Sequence, residues 1–249
     1  MYRCVAVIPC YNHPKTIGRM VDDIEARGLS AIVVDDGSDE TCAVVIDEIL
    51  DSSNGEVTLV RLSSNQGKGG AMMAGLLQAL EMGYTHALQI DADGQHDASD
   101  IPIFLNTSRS HPDAVICGEP IFDDSVPKGR LYGRYLSHVW LWINTLSHEI
   151  HDSMCGFRVY PLAPVVRIIE RAKVGRRMDF DIEILVRLHW EGLRFINIPT
   201  HVRYPLDGIS HFKSLHDNVL ISFMHTRMAV GMLIRLPILI WRRVVRKLK

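Results

Sequence analysis

The sequence has no acidic residue after Asp217, although seven of its 27 Lys and Arg residues follow that position. The remaining 20 basic residues are outnumbered by 29 acidic ones, so residues 1–217 carry a net negative charge. An acidic body argues against nucleic acid as the main partner. A basic, apolar tail favours an anionic membrane surface.

Cysteine is also scarce, and no two cysteines form a C-x-x-C pair. The five are Cys4, Cys10, Cys42, Cys117 and Cys155. This odd number favours small buried hydrophobes in a reducing compartment over a disulfide framework or a zinc site. The N-terminus enters a short strand directly and lacks the apolar core of a signal peptide. We therefore expect a cytosolic protein, or a peripheral one on the cytosolic face of a membrane.

No apolar run is long enough for a clear transmembrane helix, which needs about 20 mostly apolar residues. Residues 219–249 are apolar but are interrupted by Arg227, Arg235 and Pro237. The pattern predicts an interfacial helix pair, broken at Pro237, with Trp241 and a basic end. The alternative is a helix packed on the domain with a solvated basic end. Because no linker or repeat is visible, we predict one domain over residues 1–213 and a basic amphipathic tail over 214–249.

The composition is that of a packed globular protein, with 249 residues, 47% hydrophobic and 22% charged. Short apolar runs alternate with amphipathic stretches and end in polar loops. These runs span residues 4–8, 31–34, 57–60 and 86–90. Such alternation predicts an α/β fold with a parallel sheet and right-handed crossovers. Ligands bind at the carboxyl ends of such strands, so the four loops that follow define one binding edge.

Residues 91–97, Asp-Ala-Asp-Gly-Gln-His-Asp, follow the fourth predicted strand. Two carboxylates at positions i and i+2, followed by Gly94, suit a hard divalent cation that keeps sites open for water and phosphates. The alternative is a polar turn at a strand end, where Asp and Gly are common for local reasons. For His96, spacing favours a capping or packed side chain over a metal ligand.

Four motifs occur in order at the predicted strand ends: residues 9–12, 34–38, 65–69 and 91–96. Together with residues 152–158 and 180–183, they resemble family 2 (GT-A fold) glycosyltransferases, most closely the dolichyl-phosphate-mannose-synthase-like branch. The resemblance covers roughly residues 4–213. It implies a GT-A-type, Rossmann-like α/β fold: a mostly parallel sheet flanked by helices, here with a C-terminal amphipathic helical extension. It also implies a nucleotide-diphospho-sugar donor (UDP- or GDP-linked), a divalent metal (Mg²⁺ or Mn²⁺) and inversion at the anomeric carbon.

The resemblance assigns most donor contacts to the first half of the chain. The expected donor-binding residues are Pro9, Tyr11, Asn12, Asp36, Lys68, Asp91 and Ala92, and the expected metal ligands are Asp91, Asp93 and Gln95. Asp36 is expected to face the base or the ribose, since a carboxylate accepts hydrogen bonds from both. Lys68 precedes a helix whose N-terminus favours anions. For Asp35 and Asp36 a turn with a helix cap is the alternative, with Ser38 capping the second helix and Asn12 the first.

The need for a catalytic base depends on the acceptor. A hydroxyl acceptor needs a carboxylate to remove its proton. A polyprenyl phosphate has a second pKa of about 6 and is already an anion near neutral pH. Asp179, Asp181 and Glu183 lie within one helical turn and point to different faces. Asp181 fits the family's acidic position best and Asp179 second, while a solvated acidic helix turn is the alternative.

Basic residues of the second half are expected at the acceptor phosphate. Arg130 and Arg134 are four apart on a predicted helix and share a face. The resemblance assigns them, with Arg158, to acceptor binding; solvated helix charges are the alternative. Residues 210–213 resemble a late loop that closes over the donor.

The sequence therefore predicts a metal-dependent inverting glycosyltransferase that moves a sugar from a nucleotide donor to a membrane-associated acceptor. The tail favours a polyprenyl phosphate or another lipid or glycan acceptor. One alternative is a nucleotidyltransferase, but residues 8–12 lack the Gly-rich basic loop of such enzymes. Another is a catalytically silent sugar-nucleotide-binding or scaffold protein, against which Asp91, Asp93 and Gln95 argue.

Overall fold

The structure, a computed structural model, describes residues 1–53, 55–122, 126, 128–203 and 214–247. Within them, seven strands form one sheet. The strands are β1 (Cys4–Cys10), β2 (Ala31–Asp35), β3 (Val57–Arg61), β4 (His86–Gln89), β5 (Ala114–Phe122), β6 (Arg158–Pro161) and β7 (Arg194–Val202). Their order across the sheet is β3-β2-β1-β4-β6-β5-β7. Strands β1 to β4 are mutually parallel, as expected for apolar runs linked by helices.

Helices cover both faces of the sheet. They are α1 (Ile17–Glu25), α2 (Glu40–Ser52), α3 (Lys68–Glu81), α4 (Ile101–Ser110), α5 (Lys128–Thr145), α6 (Leu162–Arg171), α7 (Phe180–Glu191) and α8 (Ser214–Lys247). Alternate residues of β1 point into different apolar clusters, Val5 and Val7 into one and Ala6 and Ile8 into the other. The first cluster includes residues of α3, α6, α7 and α8, and the second includes residues of α1, α2 and α4. The predicted fold class is confirmed.

The second half of the sheet is mixed rather than parallel. Strand β6 runs antiparallel between β4 and β5, while β5 and β7 are parallel. The sequence did not predict β6, because its four residues continue the polar motif that begins at Asp152. All four are nevertheless buried, and Arg158 pairs with Gln89 of β4. This register brings the second half of the chain against the strand that ends at Asp91.

Helix α8 is one continuous helix of 34 residues, so the predicted break at Pro237 is wrong. A proline inside a helix removes one hydrogen bond and clashes with the carbonyl four residues earlier, at a cost of about 3 kcal/mol. Buried Met232 and Leu239 hold the helix to the body on either side of it. Helix α8 lies against α5 and α7, as in the alternative of a helix packed on the domain. Among the residues described, no helix is sufficiently long and apolar to cross a bilayer.

Candidate active site

The loops after β1 and β2 are joined by side chains that the sequence assigned to helix caps. The Asn12 N–H donates to Ser38 Oγ (3.1 Å), and the Asp39 N–H donates to Asn12 Oδ1 (2.8 Å). Neither Asn12 nor Ser38 caps a helix: the N-cap of α1 is Thr16, and Asp39 caps α2 by accepting from the Cys42 N–H. Both capping predictions are wrong. Helices α1 and α2 both start later than the local sequence suggests. Asn12 and Ser38 therefore lie outside the helices and link the loops after β1 and β2.

The buried carboxylates of Asp35 and Asp36 accept hydrogen bonds from the backbone of neighbouring turns. Asp35 Oδ1 accepts from the Ser38 N–H at 2.9 Å, and its Oδ2 lies 2.9 Å from Arg61 Nε. The Asp36 carboxylate accepts from the N–H groups of Gln66 and Gly67 at 2.7 and 2.9 Å. Burial raises the pKa of Asp36 even though these two donors lower it. Asp36 therefore fixes the loop after β3, and its role at the base or the ribose stays a prediction.

Gly37 permits the close approach of these two loops. Its φ is +69°, and a Cβ at this position would lie 2.7 Å from the backbone nitrogen of Asn65. The donor-side residues Pro9, Tyr11 and Asn12 are half-buried at the end of β1. Ala92 is buried, and its carbonyl accepts from the Thr16 hydroxyl. The predicted donor residues of three strand ends therefore lie along one edge of the sheet.

Lys68 joins the two halves of the site. Its Nζ lies 2.8 Å from Asp91 Oδ2 and 2.8 Å from Asp181 Oδ2. Burial lowers the pKa of Lys68, but the charges of Asp181 and Asp91 outweigh it, and the pKa is raised. Burial alone would raise the pKa of Asp91, but the Lys68 ammonium reverses this, and the pKa is lowered. The lysine therefore remains a cation and keeps both carboxylates in reach.

A buried polar network of Gln89, Tyr160 and Arg158 holds Asp181 in place. Gln89 Nε2 donates to Asp181 Oδ1 (2.9 Å), and the Tyr160 hydroxyl donates to Gln89 Oε1 (3.0 Å). Arg158 Nη1 donates to the Tyr160 hydroxyl (3.0 Å) and to the Asp181 carbonyl (2.7 Å). The same Nη1 lies 3.6 Å from Asp181 Oδ1. Because Gln89, Tyr160 and Arg158 are fully buried, these bonds are not exchanged for water.

The three acidic residues at the start of α7 face different surroundings, as predicted. Asp181 faces Lys68. Asp179 accepts from the Arg177 N–H at 3.1 Å and lies where a side chain at Gly175 would collide with it. Glu183 accepts from the Gly175 N–H at 3.0 Å and forms ion pairs with Arg187 and with Arg227 of α8.

The Asp91–Asp93 turn is compatible with a divalent cation shared with a substrate. Asp91 Oδ1 is buried without a hydrogen-bond partner among the described residues, and a Cβ at Gly156 would overlap this carboxylate. The Asp93 carboxylate accepts from the Gln95 N–H at 3.0 Å, while burial and the Asp91 charge raise its pKa. The described residues contain no group of three His, Cys, Asp or Glu side chains that holds a metal alone. Mg²⁺ commonly uses one or two carboxylates plus substrate phosphates, and the turn fits that type of site.

The predicted acceptor arginines have different environments. Arg134 forms a two-pronged ion pair with Asp152, whose Oδ1 also accepts from the N–H groups of Met154 and Cys155. Arg158 is fully buried, and its Nη2 donates to the Ser153 carbonyl at 2.7 Å. This placement does not support a direct contact between Arg158 and an acceptor. The Arg130 side chain and residues 210–213 lie outside the described residues.

Sequence reasoning missed Gln89, Tyr160 and Gly156. Gln89 left a signal, because it is a polar residue at the end of a predicted buried strand and lies two positions before Asp91. Tyr160 left none, since its role depends on the antiparallel pairing of β6 with β4. Gly156 was part of a recognised motif, but its contact with Asp91 appears only in three dimensions.

The family model described as Glycosyl transferase family 2 matches residues 5–169. The dolichyl-phosphate beta-glucosyltransferase of Dictyostelium discoideum is 27% identical over 199 residues, which cover 72% of this chain and 60% of that enzyme. The undecaprenyl-phosphate mannosyltransferase of Micrococcus luteus is 27% identical over 209 residues, covering 79% of this chain and 82% of the relative.

A solved structure with the same fold is glucosyl-3-phosphoglycerate synthase of Mycobacterium tuberculosis, crystallised with Mn²⁺ and uridine-diphosphate-glucose. The TM-score is 0.65 at 12% sequence identity, and the match covers 93% of this chain and 79% of the other. At this identity the likeness concerns the fold alone.

Proposed function

The chain belongs to glycosyl transferase family 2 and is a glycosyltransferase, and we propose that it transfers a sugar from a nucleotide-diphospho-sugar to a polyprenyl phosphate. This proposal rests on the contacts of the Asp181 carboxylate with Lys68 and Gln89. Its Oδ2 contacts the Lys68 ammonium at 2.8 Å, and its Oδ1 accepts from Gln89. Both oxygens of Asp181 are therefore held by donors of the protein itself, which disfavours Asp181 as the base for a hydroxyl acceptor.

Because Asp181 is held in this way, the acceptor in our proposal arrives as an anion. A phosphate monoester meets this condition near neutral pH, whereas a sugar or lipid hydroxyl does not. The two relatives described above are named for dolichyl phosphate and undecaprenyl phosphate, which supports the same class of acceptor. The acceptor phosphate oxygen attacks the anomeric carbon on the side opposite the leaving group. One carbon–oxygen bond forms, the bond to the nucleoside diphosphate breaks, and the configuration inverts.

On the donor side, the proposed contacts are those of the β1, β2 and β4 ends. Pro9, Tyr11 and Asn12 border the nucleoside, and Asp36 fixes the 65–67 loop beside it. Asp91, Asp93 and Gln95 hold a Mg²⁺ or Mn²⁺ ion in this proposal. Such an ion supplies neutralisation of the charge that develops on the leaving diphosphate. Lys68 keeps Asp91 ionised and oriented toward that diphosphate.

The acceptor side lies at the start of α5 and at the 152–158 loop. Arg134 orients this loop through Asp152 and lies next to the region of the acceptor phosphate in our proposal. A polyprenyl chain resides in a bilayer, so we assign the enzyme to the cytosolic face of a membrane as a peripheral protein. The domain of residues 1–213 carries the chemistry, and the tail of residues 214–249 contacts the membrane.

The experiment incubates the purified full chain with labelled UDP- and GDP-sugars, MnCl₂ and a membrane lipid extract. We expect label in a lipid whose mass corresponds to a polyprenyl phosphate plus one hexose or N-acetylhexosamine. Transfer of the label only to a lipid or glycan hydroxyl would contradict the proposed acceptor. Absence of transfer with every donor would contradict the enzyme activity itself.

A further inference from the structure

Helix α8 has two apolar faces. The inner face is buried against α5 and α7 and carries Ile221, Met224, Met228, Met232 and Leu239. The outer face carries the exposed side chains Val219, Phe223, Val230, Ile234, Ile238 and Trp241. Both series repeat at intervals of three, four or seven residues but are offset by about half a turn, so they lie on opposite sides of the helix. A helix packed on a soluble body normally needs only the inner series.

Helix α5 continues the outer face. Its exposed apolar side chains are Tyr135, Leu136, Trp140 and Ile143. The Trp140 ring stacks on the buried His225 of α8, with 5.9 Å between the ring centroids, so this part of α5 packs directly against α8. We call the outer face of α8 and these four α5 side chains the α5–α8 face. Tyr and Trp are the residues enriched where a protein meets the headgroup region of a bilayer.

The charge of α8 indicates what covers this face. Arg227 shares the Glu183 carboxylate with Arg187, whereas the contacts of Arg235, Arg242 and Arg243 are with uncharged groups. Arg235 lies 4.5 Å above the Trp190 ring, Arg242 donates to the Trp190 carbonyl and Arg243 to the Leu146 carbonyl. Their positive charge therefore remains and attracts an anionic membrane surface. A second copy of the chain would bring equal positive charge to the same interface.

We propose that the α5–α8 face docks the protein onto an anionic lipid bilayer, with α8 lying in the plane of the interface. The orientation that follows rests on the proposed function. Tyr135 and Leu136 come directly after Arg134, which holds Asp152 of the active-site loop. Gly156 of the same loop lies against Asp91. One helix, α5, therefore carries both exposed apolar side chains of this face and the arginine that holds the active-site loop, and in the proposed orientation a polyprenyl phosphate approaches Asp91 and Lys68 while its chain stays in the bilayer.

The test measures vesicle binding with the full chain and needs no turnover. Large unilamellar vesicles contain phosphatidylcholine alone or with phosphatidylglycerol, and bound protein is separated by sedimentation. The test variant is Phe223→Glu/Ile234→Glu, at side chains that are 68% and 75% exposed. The control is Val44→Glu/Ile103→Glu, at apolar side chains of α2 and α4 that are 50% and 52% exposed. Circular dichroism and thermal unfolding establish that all three proteins are folded.

We expect the wild type and the control to bind phosphatidylglycerol vesicles, and the test variant to bind at least about tenfold more weakly, since an apolar side chain that enters the interface contributes more than 1 kcal/mol. Equal binding by the wild type and the test variant would overturn the proposal. A wild-type dimer that the test variant converts to a monomer, without vesicle binding by either, would assign the face to a second copy instead.

Activity separates this inference from the proposed function. With a short-chain, water-soluble polyprenyl phosphate, the test variant should turn over at the wild-type rate, and only transfer to the vesicle-embedded acceptor should fall. If the wild type transfers no sugar to either acceptor but still binds vesicles through this face, the proposed function fails and the docking surface stands.

Discussion

The two halves of the sheet stabilise their polar groups differently. The parallel half, β1 to β4, carries the proposed donor site and is called the donor half; the mixed half, β5 to β7 with the helices packed on it, is called the acceptor half. In the parallel half, Asp35 and Asp36 accept hydrogen bonds from backbone N–H groups of adjacent loops, and Arg61 is partly exposed. In the mixed half, Arg158 and Glu183 are completely buried and form ion pairs across distant elements. The donor half therefore depends on hydrogen bonds from loop backbone to buried carboxylates, and the acceptor half on ion pairs made by a buried arginine and a buried glutamate. The two halves meet at Lys68, so the geometry of the site depends on both.

The donor half is tested most severely at Asp93. We expect Asp93→Ala to lower turnover about a thousandfold, because the several kcal/mol of charge stabilisation that a bound cation provides is lost. Mn²⁺ binding, measured by electron paramagnetic resonance in the presence of donor, should weaken in parallel. The control, Asp97→Ala, alters a carboxylate of the same loop that accepts from the Ser99 N–H. Unchanged turnover in the presence of EDTA would contradict the metal site.

The acceptor half is tested by removing a buried charge. Arg158→Met leaves the Asp181 carbonyl and the Tyr160 hydroxyl without their partner, and should lower the free energy of unfolding by about 3–5 kcal/mol. The matched change in the donor half, Arg61→Met, breaks an exposed pair with Asp47 and leaves the buried Asp35 carboxylate its Ser38 N–H donor, so it should cost less, about 1–2 kcal/mol. Urea unfolding measures both. Equal losses would mean that the halves do not differ in the way described.

The packing of α8 on the acceptor half should depend on pH. Burial lowers the pKa of His225 to about 4, compared with about 6.5 for an unfolded histidine. The unfolded chain therefore takes up a proton as the pH falls below about 6.5, whereas the folded chain does so only near pH 4. The free energy of unfolding should fall by up to about 3 kcal/mol across this window.

The variant His225→Gln isolates this contribution. It should flatten the fall in unfolding free energy between pH 7 and pH 4.5 relative to the wild type, with little difference above pH 7. If both proteins lose the same amount, the burial of His225 against Trp140 and Asn144 does not control the pH response.

The smallest effect is expected at Asp181. With a polyprenyl phosphate acceptor, Asp181→Asn should lower turnover by about tenfold or less, because the amide keeps a contact with Lys68 and no proton has to be removed. A general base contributes a factor of about 100 to 10,000. A loss in that range with the phosphate acceptor, in a variant that unfolds at the wild-type temperature, would make Asp181 a base.

The sequence predicts the parallel half of the fold because its signals are local. Apolar runs such as residues 31–34 lie between turn residues, and each loop follows from the strand before it. The same logic brought Asp91 and Asp93 to the binding edge. It misassigned Asn12 and Ser38, because both residue types bond to any nearby backbone and the choice between a helix cap and a neighbouring loop is made in three dimensions.

The mixed half could not be predicted in the same way. Strand β6 is four residues long and contains an arginine, and nothing local indicates that Arg158 pairs with Gln89 inside the sheet. The break expected at Pro237 was wrong for a related reason, since tertiary packing of Met232 and Leu239 outweighs the local effect of the proline. For both β6 and α8, contacts with residues that are distant in the sequence determine the observed structure.

The central claim is that the acceptor is already an anion, and a matched acceptor pair tests it most directly. The purified enzyme, a labelled donor and Mn²⁺ are incubated with a polyprenyl phosphate or with the polyprenol of the same chain length. We predict rapid transfer to the phosphate and none to the alcohol. Transfer to the polyprenol at a similar or higher rate would contradict the account.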